Sequence, residues 1–304
     1  MVFKVTILGS NSAIPTIKRN PTAQIVNHNE HLYLVDCAEG TQVQLRRNRI
    51  KMQRINHIFI SHLHGDHFFG LIGLISSMHL LGRKKDLHIY GPPQLEDILN
   101  LQLEVSLTVL NYPMIFHPIN PDAHDLIYED ANLTIKTIPL KHSIPTCGFI
   151  FKEKKGKRKI KKDAVQTYNI PKDQMLNLKN GEDFIDEEGN RIENKQITDD
   201  PFPIRSYAYC SDTNYYEKII PLIMGVNLLY HEATFTKDFE EVARAKFHST
   251  SADAATIAKK AGVEKLLIGH FSTRYETVDQ LLDEARKIFP NTDAVTDGNV
   301  YEIE

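Results

Sequence analysis

The sequence SHLHGDH, residues 61–67, follows directly on INHIFI, an apolar run with the composition of a β-strand. It holds three histidines and one aspartate, and His62 and His64 are spaced so that both can point to one side while Asp66 and His67 turn toward a second centre. Neutral imidazole and carboxylate are ligands that divalent zinc, manganese and iron accept. A closed structural zinc site would draw on cysteine, and none is nearby. The stretch predicts an open metal site at a strand end.

Three further candidate ligands follow other strand-like runs. His142 comes after LTIKTIPLK, Asp212 after SYAYCS and His270 after KLLIG. Each of these three residues lies at the carboxyl end of its run.

The composition is that of an ordinary globular protein. The chain has 304 residues, of which 41% are hydrophobic and 25% charged, and its formal net charge is -3. Affinity for a polyanion must therefore come from a local patch. Three widely spaced cysteines suggest neither a disulfide framework nor a thiolate zinc site. We expect a soluble, cytoplasmic protein with no membrane partner.

Short β-like runs alternate with stretches of helical spacing, which predicts an α/β layered protein. Strands are expected at Phe3–Leu8, Thr22–Val26, Leu32–Val35, His57–Ile60, Leu87–Tyr90, Leu133–Ile138, Ser206–Tyr209, Asn227–Tyr230 and Lys265–Ile268. Helices are expected at Gln94–Val109, Asn214–Met224, Ser251–Ala261 and Glu276–Phe289.

The segment Lys152–Lys162 departs from the composition of the rest, with eight Lys or Arg against one Glu, and Glu182–Asp200 then becomes acidic. Residues 153–203 lack a clear apolar period, and they are interpreted as an insertion into a single domain that spans 1–304. The insertion is either a solvated loop or a basic arm that binds RNA phosphates.

The pattern H-x-H-x-D-H in residues 62–67 is the signature of the metallo-β-lactamase superfamily. The resemblance implies a four-layer αββα sandwich with two metal ions at one edge. One ion would be held by His62, His64 and His142, the other by Asp66, His67 and His270, and both by Asp212. Such a centre leaves positions open for water and substrate, so Asp66 could also accept the proton of the nucleophile.

Within this superfamily the chain resembles the ribonuclease Z family over nearly its whole length. The matching motifs are LGSNSAIPTIKRN (8–20), DCAEGTQ (36–42), SHLHGDHFFGL (61–71), YCSDT (209–213), HEATF (231–235), HSTSADAA (248–255) and GHFSTRY (269–275). Two departures are Ala38 in place of a glycine and Lys18, one position late in a P-x-K-x-R-N segment that retains Arg19 and Asn20.

This resemblance implies a zinc-dependent endoribonuclease, with manganese or iron as possible alternatives to two zinc ions per subunit. It would cleave the 3′ trailer from precursor tRNA, leaving a tRNA 3′-hydroxyl and a trailer 5′-phosphate. A homodimer is implied too, in which the arm of one subunit serves the active site of the other. Arg19 and Asn20 would contact the substrate.

The HEAT and HST motifs supply the expected proton donor. The 3′-oxygen is a poor leaving group, and a histidine can protonate it near neutral pH. We assign that role to His248, oriented and kept charged by Glu232. An alternative is that both motifs only begin helices, with Thr234 and Ser249 as N-caps; the two interpretations are compatible.

The resemblance also favours the basic-arm interpretation of 153–203, because the family carries a tRNA-binding arm at the corresponding place. The residues expected to bind tRNA phosphates there are Lys154, Lys155, Lys157, Arg158 and Lys159. The Gly-Pro motif of many such arms is missing, and Asn169–Met175 occupies its place.

Two other functions fit parts of this pattern. A different hydrolase of the same fold, acting on small phosphodiesters or related esters, would need the metal site but not the arm. A non-enzymatic RNA-binding module would be expected to have lost at least one metal ligand. All seven ligand positions are intact, which argues against the second alternative.

Overall fold

A computed structural model describes residues 2–304. Its first strands in chain order are β1 (Phe3–Gly9), β2 (Ala23–His28), β3 (His31–Val35), β4 (Ile55–Phe59), β5 (Leu87–Gly91), β6 (Met114–Pro118), β7 (Leu126–Glu129), β8 (Leu133–Pro139) and β9 (Cys147–Glu153). The others are β10 (Lys159–Ile160), β11 (Phe184–Ile185), β12 (Arg191–Ile192), β13 (Thr198–Asp199), β14 (Ser206–Cys210), β15 (Leu228–Glu232), β16 (Lys265–Gly269), β17 (Thr292–Ala294) and β18 (Val300–Glu302).

Ten α-helices are found in this part of the chain. They are α1 (Thr41–Arg47), α2 (Gly65–Phe68), α3 (Leu71–Leu80), α4 (Gln94–Val105), α5 (Lys162–Thr167), α6 (Met175–Lys179), α7 (Asn194–Ile197), α8 (Glu240–Ala245), α9 (Ser251–Ala261) and α10 (Asp279–Ile288). Three 3-10 helices occupy Met52–Arg54, Glu217–Leu222 and Lys237–Phe239. None of the helices within residues 2–304 has the length and apolar character needed to cross a bilayer.

Two seven-stranded sheets pack face to face. Their orders are β18-β1-β2-β3-β4-β5-β6 and β17-β16-β15-β14-β9-β8-β7. Aromatic side chains fill the space between them: the rings of Phe59 and Phe149 lie 5.6 Å apart, and those of Tyr33 and Phe151 lie 5.9 Å apart. Helices α1, α3 and α4 cover the first sheet with an apolar cluster that includes Leu45, and α9 and α10 pack on the second. The expected αββα sandwich is confirmed.

The chain divides into two compact units, and the smaller one comprises Glu129–Thr134 and Lys152–Ile204. The insertion expected at 153–203 lies within the second of these segments. It contains α5, α6, α7 and two short two-stranded sheets. Its side chains form an apolar core of their own, made of Ala164, Ile170, Leu178, Phe184 and Ile197. The segment is therefore a folded unit, and its interpretation as a plain solvated loop is wrong.

Two of the expected helices show how local sequence sets helix ends. The helix at Ser251–Ala261 has the expected bounds and ends at Gly262, whose φ of 59° suits a left-handed C-cap. The helix expected at Asn214–Met224 is wrong. Only a 3-10 helix forms there, at Glu217–Leu222, and Pro221 lies inside it. Proline lacks the N–H that an α-helix interior requires.

Candidate metal centre and active site

The loop between β4 and α2 places His62 and His64 at the carboxyl edge of the first sheet. Beside them lie His142, from the loop after β8, and Asp212, two residues beyond β14. The ligand atoms of these four residues all lie within 4.8 Å of one another. Nδ1 of His64 is 3.1 Å from Nε2 of His62 and 3.1 Å from Nε2 of His142. Oδ2 of Asp212 lies 3.8 Å and 3.7 Å from the same two Nε2 atoms.

A second group surrounds the other oxygen of the same aspartate. Oδ1 of Asp212 is 3.3 Å from Nε2 of His67 and 3.1 Å from Nε2 of His270. Oδ2 of Asp66 lies 3.5 Å and 3.6 Å from these two nitrogens. Asp212 is buried and turns one oxygen toward each group. The structure thus brings all seven predicted ligands together in two groups that share one carboxylate.

Hydrogen bonds fix which nitrogen of each buried imidazole faces the centre. Nδ1 of His67 donates to Asp36 at 2.8 Å, and Nδ1 of His142 donates to the carbonyl of Phe247 at 3.0 Å. Nδ1 of His270 donates to the Thr234 hydroxyl at 2.9 Å, since that hydroxyl itself donates to a carboxylate. In each ring Nε2 is left with its lone pair toward the centre, as a metal ligand requires.

Two of these nitrogens give a direct test of whether a metal fits. Nε2 of His67 and Nε2 of His270 are buried and have no hydrogen-bond partner among residues 2–304. Buried polar atoms are normally paired, so an orphaned lone pair beside carboxylates marks a place for a cation. Imidazole and carboxylate without thiolate is a donor set that suits zinc, manganese or iron. The side chains present therefore fit a two-metal centre.

Backbone conformation contributes to this arrangement. Asp36, directly after β3, and His270, directly after β16, both adopt positive φ angles, of 55° and 59°. Residues other than glycine rarely hold this left-handed conformation, and it clusters at functional sites where the surrounding structure imposes it. Here it turns the carboxylate of Asp36 toward His67 and the imidazole of His270 into the centre.

His248 and Glu232 lie next to both groups of ligands. Nδ1 of His248 is 2.8 Å from Oε1 of Glu232, and its ring centroid is 5.4 Å from that of His270 and 5.2 Å from that of His142. Burial lowers the pKa of His248, but the Glu232 carboxylate outweighs burial and raises that pKa to about 9. The Glu232 carboxylate thus favours the protonated form of His248.

The expectation that Thr234 and Ser249 cap the helices that follow is wrong. The Thr234 hydroxyl donates to Oε2 of Glu232 at 2.6 Å and accepts from His270. Ser249 donates to the carbonyl of Thr213 at 2.7 Å. Helix α9 is instead capped by Thr250, through a capping box. Thr234 thus orients two site residues at once.

Arg19 and Asn20 are held by bonds within the protein. Nε of Arg19 donates to Asn11 at 3.1 Å, and its Nη2 donates to the carbonyl of Tyr275 at 2.5 Å. Nδ2 of Asn20 donates to Asp297 at 2.9 Å. These bonds tie the loop after β1 to two C-terminal loops, and a substrate contact for either residue stays a prediction.

The five predicted arm cations fall into two kinds. Lys154 pairs with Glu129 at 2.6 Å, Arg158 pairs with Asp200, and Nζ of Lys159 lies 2.6 Å from the ring centroid of Phe202. Lys155 and Lys157, by contrast, are exposed. The smaller unit also contains a cleft of about 1430 Å³. Cationic side chains outnumber acidic ones in its lining, which includes Lys155, Lys157, Arg158, Lys179, Arg191 and Lys195 beside Asp183, Glu193 and Asp200.

Sequence reasoning did not assign a role to three residues that orient the site. Asp36 supports His67, and its place at a strand end within a matched motif was the available signal. Thr234 lies within HEAT, where its hydroxyl was interpreted only as a cap. Tyr209 donates to Asp36 at 2.6 Å, and nothing in the sequence separates it from an ordinary core tyrosine.

Comparisons with known proteins agree with this geometry. A family model described as Anti-Pycsar protein Apyc1 matches residues 3–168. The chain is 49% identical to Ribonuclease Z of Bacteroides fragilis over 95% of its length and 95% of the relative's. The crystal structure of human tRNase Z, short form, superimposes with a TM-score of 0.72 at 26% identity, covering 99% of each chain. The metallo-β-lactamase fold protein YhfI of Bacillus subtilis matches with a TM-score of 0.69 at 21% identity, covering 99% of this chain and 100% of its own.

Two packed sheets between helices, with a histidine and aspartate centre at their edge, define a protein of the metallo-β-lactamase fold. The sequence identity of 49% to Ribonuclease Z of Bacteroides fragilis, over nearly the full length, then identifies the family within this fold. The chain belongs to the ribonuclease Z family, and also to the family described by the model that matches more than half of its length. The family expected from the sequence motifs is confirmed, and membership makes the protein a hydrolytic enzyme.

Proposed function

We propose that this protein is a zinc-dependent endoribonuclease that removes the 3′ trailer from precursor tRNA, leaving a tRNA 3′-hydroxyl and a trailer 5′-phosphate. The observation that carries the proposal is the pair of ligand groups sharing Asp212, with His248 and its partner Glu232 beside them. The names and sequence identity of the relatives, ribonuclease Z and tRNase Z, support precursor tRNA as the substrate.

The metal assignment follows the two groups. His62, His64 and His142 would hold one zinc ion, Asp66, His67 and His270 the other, and Asp212 both. Manganese or iron suits the same donors. When bound, the two ions supply Lewis-acid stabilisation of the phosphoryl oxygens and a lowered pKa for the attacking water.

Asp66 is suited to orient the attacking water and take its proton. Its Oδ2 accepts a hydrogen bond from the backbone N–H of Ala13 at 2.8 Å and faces His67 and His270. That bond fixes the carboxylate in the centre rather than in solvent. The Asp66 side chain is only 12% exposed, so a water beside it is shielded from bulk solvent.

His248 would protonate the departing 3′-oxygen of the tRNA. Glu232 accepts from Nδ1 of His248, which leaves Nε2–H free to donate. Glu232 is itself fixed by the backbone N–H of Thr213 at 2.8 Å and by the hydroxyl of Thr234 at 2.6 Å. A histidine acid of raised pKa contributes about 100- to 10,000-fold to such a step.

The smaller unit is proposed to bind tRNA. Lys155 and Lys157 are exposed, and the cleft they help to line carries an excess of positive charge. Lys or Arg groups that neutralise phosphates supply most of the sequence-independent affinity for nucleic acid. The formal net charge of the whole chain is -3, so a local basic surface is the form such affinity must take here.

We also propose a cytoplasmic homodimer. Large apolar side chains are exposed on α4 and the segment after it: Leu101 is 59% exposed, Val105 73%, Leu107 90% and Val109 84%. Contiguous exposed apolar surface of this kind marks protein–protein contacts. A second copy that covers it would remove these side chains from water.

A second candidate function is hydrolysis of small phosphodiesters or related esters by the same centre. It is favoured by the family match over residues 3–168, whose description differs from that of the curated relatives. Turnover of a 3′-extended precursor tRNA, bis(p-nitrophenyl) phosphate and a lactone by the zinc-loaded protein separates the two. A much higher kcat/KM for the precursor supports the tRNA function, and turnover of the small substrates alone supports the alternative.

A further inference from the structure

The carboxylate of Asp36 collects four hydrogen bonds beneath the metal centre. Its Oδ1 accepts from the backbone N–H of Ser61 at 2.8 Å. Its Oδ2 accepts from the Ser61 hydroxyl at 2.9 Å, from Nδ1 of His67 at 2.8 Å and from the Tyr209 hydroxyl at 2.6 Å. Three of the donors belong to Ser61, in the loop after β4, and to His67, in α2, so they follow a strand of the first sheet. Tyr209 alone comes from the second sheet, on β14.

Tyr209 also lies three residues before the shared ligand Asp212. Its hydroxyl is 3.2 Å from Oγ of Ser211, and that Oγ is 3.0 Å from Oδ1 of Asp212. Oδ1 of Asp212 in turn is 3.3 Å from Nε2 of His67. The polar contacts thus close a ring from His67 through Asp36, Tyr209 and Ser211 to Asp212.

We infer that Tyr209 is a positioning residue of the metal centre, whose hydroxyl holds the Asp36 carboxylate against His67 and fixes the separation of His67 from Asp212. His67 has a fully buried side chain, and Nε2 has no partner within residues 2–304, so its ring is oriented by the bond between Nδ1 and Asp36. The inference rests on the proposed assignment of His67 and Asp212 as metal ligands.

The neighbouring Tyr207 provides a matched control. It lies two residues earlier on β14, has no exposed surface, and donates its hydroxyl to Oε1 of Gln24 across the same sandwich. Its hydroxyl makes no hydrogen bond to a residue of the metal centre. Tyr207→Phe and Tyr209→Phe therefore each remove one buried hydroxyl bond between the sheets, but only the second removes a bond to Asp36.

The test is the zinc affinity of the purified full chain, measured by competition with a fluorescent chelator. Loss of a partner that orients a ligand commonly lowers metal affinity about 10- to 100-fold. We expect Tyr209→Phe to bind one of the two zinc ions more weakly by this factor. Tyr207→Phe should bind both ions as tightly as the wild type does. Equal affinities in the two variants, or no loss in Tyr209→Phe, would overturn the inference.

A measurement on the wild type keeps the inference testable if Tyr209→Phe does not fold. The Tyr209 hydroxyl and Nδ1–H of His67 both donate to the same oxygen of Asp36. The NMR spectrum of the zinc-loaded protein should therefore show a cross-peak between these two slowly exchanging protons. Absence of this cross-peak contradicts the inference.

The zinc titration also separates this inference from the proposed function. A wild type that binds two zinc ions but leaves precursor tRNA uncut contradicts the function and leaves the role of Tyr209 standing. If the wild type cuts precursor tRNA but Tyr209→Phe binds zinc as tightly as the wild type, the function is supported and the role of Tyr209 is contradicted.

Discussion

Nδ1 of His248 lies 2.8 Å from Oε1 of Glu232, a carboxylate with no exposed surface. Burial raises the pKa of Glu232, but the positive charge of His248 outweighs it and lowers that pKa. The two side chains form an ion pair beside the proposed ligands His142 and His270. An imidazolium held in this way can donate a proton to a leaving oxygen, and this idea can be tested by changing the leaving atom.

His248→Ala should lower the cleavage rate of precursor tRNA about 100- to 10,000-fold, because the 3′-oxygen would leave without a proton. A substrate with sulfur in place of that oxygen should be cut by His248→Ala nearly as fast as by the wild type, since a thiolate needs no proton to leave. The measurement is single-turnover cleavage of both substrates.

The control for this experiment is Asp66→Ala, which removes a proposed ligand and the proposed base rather than the acid. The sulfur substrate should not rescue it. Failure of sulfur to rescue His248→Ala, or equal rescue of both variants, would count against His248 as the acid.

Asp212→Asn should weaken the binding of both metal ions, because one oxygen of Asp212 faces each ligand group. His142→Ala should weaken the binding of only one ion, the one proposed to be held by His62, His64 and His142. We expect extensively dialysed wild type to retain two zinc ions per chain, His142→Ala one, and Asp212→Asn fewer than one, as measured by elemental analysis. Retention of one tightly bound ion by Asp212→Asn would contradict the sharing of this carboxylate.

Lys155→Gln combined with Lys157→Gln should weaken tRNA binding and reduce its dependence on salt. Each lost phosphate contact lowers the slope of log K against log salt by about 1, so the slope should fall by about 2 if both lysines contact phosphate. Turnover of bis(p-nitrophenyl) phosphate should not change. The matched control is Lys84→Gln with Lys85→Gln, an exposed pair in the larger unit. If both double variants weaken tRNA binding equally, the smaller unit has no special role in binding tRNA.

Asp253→Ala should lower the free energy of unfolding by about 1 kcal/mol, because it removes the side-chain acceptor of the capping box that starts α9. Burial raises the pKa of Asp253, but its bonds to Arg244 and Thr250 outweigh burial and lower it. The folded pKa is thus below the unfolded one of about 3.9, so the stabilisation is present above that pH and is lost as pH falls through the folded pKa. Urea unfolding of the zinc-free forms at pH 7 and pH 3.5 should show the difference between wild type and variant shrinking at the lower pH.

The ligand positions could be predicted because each depends on a short-range pattern. Residues 61–67 place four ligands in a single turn, and His142, Asp212 and His270 each follow an apolar run that forms a strand. That these distant residues meet the turn in one centre was implied by the resemblance to the metallo-β-lactamase superfamily, because the period of a strand does not show which strand ends lie together.

The smaller unit could not be predicted in the same way. Its core residues, including Ala164, Ile170 and Phe184, come from two- to six-residue elements and the turns between them, so no element is long enough to show a period. The role of Tyr209 was hidden for a different reason. A buried strand tyrosine has the same sequence signature whether its hydroxyl meets Gln24, as Tyr207 does, or Asp36.

The most direct test of the proposed function is to incubate the zinc-loaded protein with a 3′-extended precursor tRNA and map the new ends. The mapped position will also show where the cut falls relative to an encoded CCA. We predict a single cut near the discriminator base, with a 3′-hydroxyl on the tRNA and a 5′-phosphate on the trailer. Asp66→Ala should bind the precursor and leave it uncut. An intact precursor with the wild-type protein, under conditions in which it hydrolyses a small phosphodiester, would contradict the tRNA assignment.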